Sequence, residues 1–103
     1  MLEELKLLKN KVLADCSPEY AFWTCNGLVV RNVYELVNSI EAMNDITFRY
    51  HVNEDRKKND FALWIKAVFN DDKLALKLEG IIDKERYIQI IKNRIKELES
   101  IKS

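Results

Sequence analysis

Leu2, Leu5, Leu8, Val12 and Leu13 recur at helical spacing with Glu and Lys between them, which predicts a short amphipathic helix over 2–14. Ser17-Pro18 ends it, because the residue before proline is pushed out of the α region. The period then changes. Aromatic and β-branched residues flank Asn26-Gly27, from Ala21 to Cys25 and from Leu28 to Arg31. That pattern predicts a β-hairpin near 21–31, closed by a type I′ turn with positive φ at both Asn26 and Gly27. So short a ribbon is marginal by itself and has to lean on a helix or join a partner's sheet.

Helical periodicity returns with Val33, Leu36, Val37, Ile40 and Met43, opened by Asn32 as N-cap with Glu35 three residues on. Asn44-Asp45 stops this helix and caps a short one holding Ile46, Phe48, Arg49, Tyr50, His51 and Val52. Residues 53–58 contain no apolar member and read as a solvated loop, with Asn53 closing the helix before it in a left-handed conformation. Asn59 or Asp60 caps a helix whose face is Phe61, Trp64, Ile65, Val68 and Phe69. Asn70-Asp71-Asp72 breaks the chain again ahead of Leu74, Ala75 and Leu78, and Gly80 suits the position after a helix end. Asp83 caps a last helix over about 84–102, in which Ile88, Ile91, Ile95 and Leu98 form an a/d seam.

These elements predict a mainly α fold: four to five short helices, one small hairpin, and amphipathic helices at both ends. A single domain over 1–103 is expected, with a terminal helix at 1–14, a core at 20–80 and a second terminal helix at 83–102. The expected core is Phe22, Leu28, Val30, Leu36, Val37, Ile40, Phe48, Val52, Phe61, Trp64, Ile65, Val68, Leu74 and Leu78.

Composition agrees. Two Gly and one Pro in 103 residues are too few for extended sheet and long loops, and 48% hydrophobic residues exclude a disordered chain. With 17 basic against 17 acidic residues there is no chain-wide positive excess to suggest nucleic acid or an anionic membrane. The acidic start, Met1-Leu2-Glu3-Glu4, does not look like a signal peptide, and no apolar run approaches the roughly 20 residues that cross a bilayer. A cytoplasmic location is expected, and Cys16 and Cys25 are therefore expected as free or buried thiols.

Several blocks carry a resemblance: F-W-T-C-N-G-L-V-V at 22–30, Y-E-L-V-N-S-I-E-A-M at 34–43, F-R-Y-H-V-N at 48–53, N-D-F-A-L-W-I at 59–65 and L-A-L-K-L at 74–78. The pattern from Phe22 to Leu78 resembles an uncharacterised small domain family of archaea and bacteria, with Y-H-V-N and N-D-F-x-x-W-I as its most specific parts. The resemblance implies no activity, substrate or catalytic residue, and the two terminal helices lie outside it.

Candidate chemistry is sparse. His51 is the sole histidine, and a catalytic reading makes it a general base oriented by Asp45, Asp55 or Asp60, with Cys16 or Cys25 as nucleophile. The plainer reading, which we favour, is a helix-end imidazole packed against Trp64 and hydrogen-bonded to backbone or carboxylate. Two cysteines nine apart and one distant histidine match no zinc spacing, and no phosphate loop or nucleophile elbow is present, so no catalytic residue, metal or cofactor is assigned. Tyr50, His51, Asn53, Asn59, Asp60 and Trp64 remain as a possible interaction or ligand site, with capping the simpler role for Asn59 and Asp60. Residues 84–102 carry Lys84, Arg86, Lys92, Arg94, Lys96 and Lys102 against Glu85, Glu97 and Glu99, and with Arg49 and Arg56-Lys57-Lys58 they suggest a basic strip. Arg86, Lys92, Arg94 and Lys96 are its candidates, although alternating charge on a solvated helix face explains them as well.

The expected function is a non-enzymatic interaction or scaffold module that self-associates through its terminal helices as a homodimer, with an unknown protein partner and no membrane. The alternative is a small nucleic-acid-associated regulatory protein that uses the basic strip.

Overall fold

The computed structural model describes residues 2–53 and 57–101. Six α-helices occur among them: α1 (Leu2–Val12), α2 (Val33–Ala42), α3 (Asp45–His51), α4 (Asp60–Trp64), α5 (Asp72–Leu78) and α6 (Lys84–Glu99). Two antiparallel two-stranded ribbons accompany them, β1 (Phe22–Trp23) with β2 (Val29–Val30) and β3 (Val52–Asn53) with β4 (Lys58–Asn59). The fold is mainly α, as the periodicity predicts. Glu54, Asp55, Arg56 and Lys102 lie outside the described residues, and with them Asp55 as a partner for His51 and the part of the basic strip assigned to Arg56 and Lys102. The Leu2 side chain, part of the expected first stripe, is likewise not described.

The helix starts follow the capping chemistry. Asn32, Asn44, Asn59, Asp71 and Asp83 each accept a hydrogen bond from the backbone N–H three residues on, satisfying a donor that the first turn leaves orphaned. Asn59 rather than Asp60 caps α4, which frees the Asp60 carboxylate for other work.

The first hairpin pairs Phe22 with Val30 and Trp23 with Val29. Its turn is not type I′. Gly27 N–H donates to Thr24 O, Thr24 N–H donates to Leu28 O, and only Gly27 has positive φ, at 87°. This is a three-residue loop, a type I turn followed by a left-handed glycine, in which Asn26 keeps ordinary backbone angles. Asn53 also departs from expectation. It sits in β3 opposite Lys58, and Val52 ends α3, so Asn53 and Lys58, at the two ends of the charged segment, are paired strand residues.

One apolar cluster runs from Val12 through α2, α3, α4 and α5 to Leu98. Of the expected core, Phe22 and Val68 are half-buried at its margin and Leu28, beside the hairpin turn and beyond the reach of the helices, is exposed. Val68 is turned partly outward because Ile65–Phe69 is a π-helix. Its wider turn brings residues five apart together, and Trp64 and Phe69 meet edge to face at 5.1 Å.

The last helix buries all four residues of its predicted seam, Ile88, Ile91, Ile95 and Leu98, and adds Tyr87 to them. Tyr87, Ile91 and Leu98 are fully buried, whereas Ile88 and Ile95 lie at the edge of the buried face. Arg94 falls on the Tyr87–Ile91–Leu98 line and is buried with them. Arg94 therefore does not belong to the expected basic strip. At about 100° per residue Arg94 points nearly opposite to Lys92 and Lys96. Lys92 lies 3.4 Å from Glu41, Arg94 pairs with Asp71 and Glu97, and Arg86 and Lys96 are exposed. None of the described helices is long and apolar enough to cross a membrane.

Candidate functional site around His51

The three most distinctive sequence blocks meet at one point. His51, at the end of α3, is 4% exposed. Its Nδ1 lies 2.9 Å from Asp60 Oδ2, at the start of α4. Its Nε2 accepts a 3.0 Å hydrogen bond from the Cys25 backbone N–H, in the turn of the first hairpin. A donating amide at Nε2 requires a lone pair there, so the proton sits on Nδ1 and is donated to Asp60; the imidazole is neutral in this arrangement. Phe22, Phe61 and Tyr50 box the ring, with centroids 5.3, 5.0 and 5.2 Å away. Trp64 is one ring further out, reached through Phe22.

The surrounding polar groups are equally engaged. Lys58 Nζ lies 3.4 Å from Asp60 Oδ2, donates to the Tyr50 carbonyl at 2.8 Å and stands 4.0 Å over the Tyr50 ring. Trp64 Nε1 donates to Tyr20 O at 2.7 Å, fixing the chain just ahead of β1. Asn59 takes three partners: it caps α4, donates to Leu78 O at 3.0 Å, and accepts from the Tyr87 hydroxyl at 2.5 Å. Burial pushes the Tyr87 phenol well above its ordinary range. No buried side-chain nitrogen or oxygen among the described residues lacks a partner.

The expected site residues thus divide. His51, Asp60 and Tyr50 share one network with Lys58; Trp64 flanks it; Asn59 faces the other way, toward α5 and α6; Asn53 lies in β3. Asp60 is the carboxylate on His51, and Asp45 lines an open groove beside Ile46 and Arg49. The contact between Cys25 and His51 runs through the backbone amide, and Cys16 is tied by its own amide to Arg31 O. To act as a base, His51 would have to release the hairpin. Both cysteines are free, Cys25 exposed and Cys16 half-buried, and no three His, Cys, Asp or Glu side chains among the described residues gather as a metal site.

Sequence reading missed Arg94, Asp71 and Tyr87. The signal for all three was present: Tyr87, Ile91, Arg94 and Leu98 are spaced 4-3-4, so a charged residue occupies the middle of an apolar stripe and demands a buried counter-charge.

Residues 17–103 match the family of unknown function DUF5752. The chain belongs to that family. The DUF5752 match is broader than the resemblance over 22–78, since it takes in α6 and leaves out α1. No curated protein and no solved structure matches the chain.

Proposed function

We propose that this member of DUF5752 is a non-enzymatic interaction module, acting as a homo-oligomer, that presents its first hairpin to a protein partner. The observation that carries this reading is the division of labour across the hairpin. Phe22 turns inward to His51, Phe61 and Trp64 and Val30 is fully buried, while their neighbours Trp23 and Val29 pair on the outer side, with Trp23 69% exposed. Tyr20, immediately before β1, is also exposed. Exposed tryptophan and tyrosine on a braced scaffold are the residue types that anchor protein interfaces. The His51–Asp60 pair and the Trp64–Tyr20 bond supply the bracing.

Self-association through both terminal helices has less to draw on, because the apolar side of α6 is buried in the chain's own core. Exposed Leu5 and Leu7 remain on α1.

Affinity capture from native cells, with and without nuclease, tests the reading. Retention that survives nuclease and is lost with Trp23→Ala, while the variant melts like wild type, supports it. Retention abolished by nuclease would replace it with the nucleic-acid reading, and retention indifferent to Trp23 would remove the hairpin from it.

A further inference from the structure

We propose that a second copy of this chain docks into the groove between the Asp60–Phe69 helical arm and α5, related by a two-fold axis that runs along the groove. The inference deepens the self-association part of the proposed function and is independent of the hairpin. The groove is a cavity of about 440 Å³. Leu63 and Leu76 stand on its opposite walls, and each is 68% exposed, the signature of large apolar side chains left uncovered.

Charge identifies the occupant. The Asn59–Leu78 hydrogen bond brings the start of the arm to the end of α5, so Lys57 and Glu79 stand at one end of the groove. The reversal at Asn70-Asp71 places Lys66 and Asp72 at the other. One wall is therefore basic and the other acidic, and among the described residues none of these four forms an ion pair. Such a surface is complementary to itself in only one face-to-face orientation. A two-fold along the groove lays each basic wall over the other copy's acidic wall at the same height. Lys66 then meets Asp72 of the second copy, Lys57 meets Glu79, and Leu63 meets Leu76, each contact occurring twice. A two-fold across the groove would stack Lys57 on Lys66 and Asp72 on Glu79, and like charges reject it. The leucines supply apolar burial while the exposed pairs, weak individually, select orientation.

Sedimentation equilibrium of the full chain at low salt, over a concentration series, tests the assignment. Wild type should form a dimer, and Leu76→Glu should raise its dissociation constant at least about tenfold, as expected for a central contact. Lys66→Glu and Asp72→Lys should each weaken self-association, since each sets like charges against each other at two places. An equimolar mixture of those two variants should recover dimer, because opposite charges face each other again at both places. Recovery on mixing is something a folding defect cannot produce. A wild-type dimer that ignores Leu76→Glu and shows no recovery overturns this surface and leaves self-association standing. A monomer at every concentration overturns both, and the hairpin reading is then judged by Trp23 alone.

Discussion

Arg94 and Asp71 form a two-pronged ion pair inside the protein, Nε to Oδ2 and Nη2 to Oδ1, both at 2.9 Å, with the side chains 5% and 1% exposed. Asp71 also caps α5 through Oδ1, so one carboxylate holds the start of α5 and the middle of α6. Burial works against the Arg94 charge, but the hydrogen bonds to Asp71 and Glu97 outweigh it and hold the guanidinium above its ordinary range.

Asp71→Asn keeps a capping oxygen and removes the counter-charge. It should destabilise the fold by up to about 3 kcal/mol, the lower end for breaking a buried pair, because Glu97 still faces the Arg94 guanidinium. Adding Arg94→Met should recover much of that loss, because the under-compensated buried cation is then gone. Chemical denaturation of both variants checks this, and a harmless Asp71→Asn would show that Glu97 suffices as counter-charge for Arg94.

His51→Phe should fill the aromatic box yet leave the Cys25 amide and the Asp60 carboxylate without their partner. A loss of about 0.5–1.5 kcal/mol is expected for each lost hydrogen bond, because Cys25 is exposed and Asp60 keeps Lys58. The specific readout is amide hydrogen exchange at Cys25, which should speed up more than exchange in α6. Unchanged protection at Cys25 would mean that the hairpin is held by its apolar side alone.

Most of the fold was legible because it is written in local chemistry. Asn32, Asn44, Asn59, Asp71 and Asp83 begin helices for reasons that involve only the next three residues. What was not legible depends on groups far apart in the chain. The partner of His51 on one side is a backbone amide 26 residues away, and backbone amides carry no sequence signature. Asn26-Gly27 suits either turn type, and the choice was made by the pairing register. Arg94 read as surface charge because its counter-ion, Asp71, is 23 positions earlier on another helix cap.

Gly27→Val tests the revised turn. At φ 87° a β-branched residue is strained by about 1–3 kcal/mol, although the space around a new Cβ is open. Asn26→Ala should cost only about 0.5–1.5 kcal/mol, the loss of its hydrogen bond from the Thr24 hydroxyl, since its backbone needs no unusual angle. Equal strain at both positions would restore the type I′ assignment. Thermal melting of the two variants decides.

Stability should fall at both ends of the pH scale, for opposite reasons. Glu35 is held below the ordinary carboxylate range by hydrogen bonds from the Arg31 side chain and amide, and Glu97 by its hydrogen bond from Arg94. Above that range both carboxyls are ionised in the folded and unfolded chain, and their pairing contributes in full; as pH falls through the depressed folded values they protonate and the contribution disappears. Tyr87 works the other way. Its phenol is raised by burial, so its contribution is complete below about pH 10, where an unfolded tyrosine begins to ionise, and is lost as pH rises further. Tyr87→Phe removes the titrating hydroxyl along with its bond to Asn59. The variant should be less stable at neutral pH and should lose less additional stability between about pH 9 and pH 11 than wild type does. Melting temperatures across that window provide the check, and parallel alkaline losses in the two proteins would assign the effect to other groups.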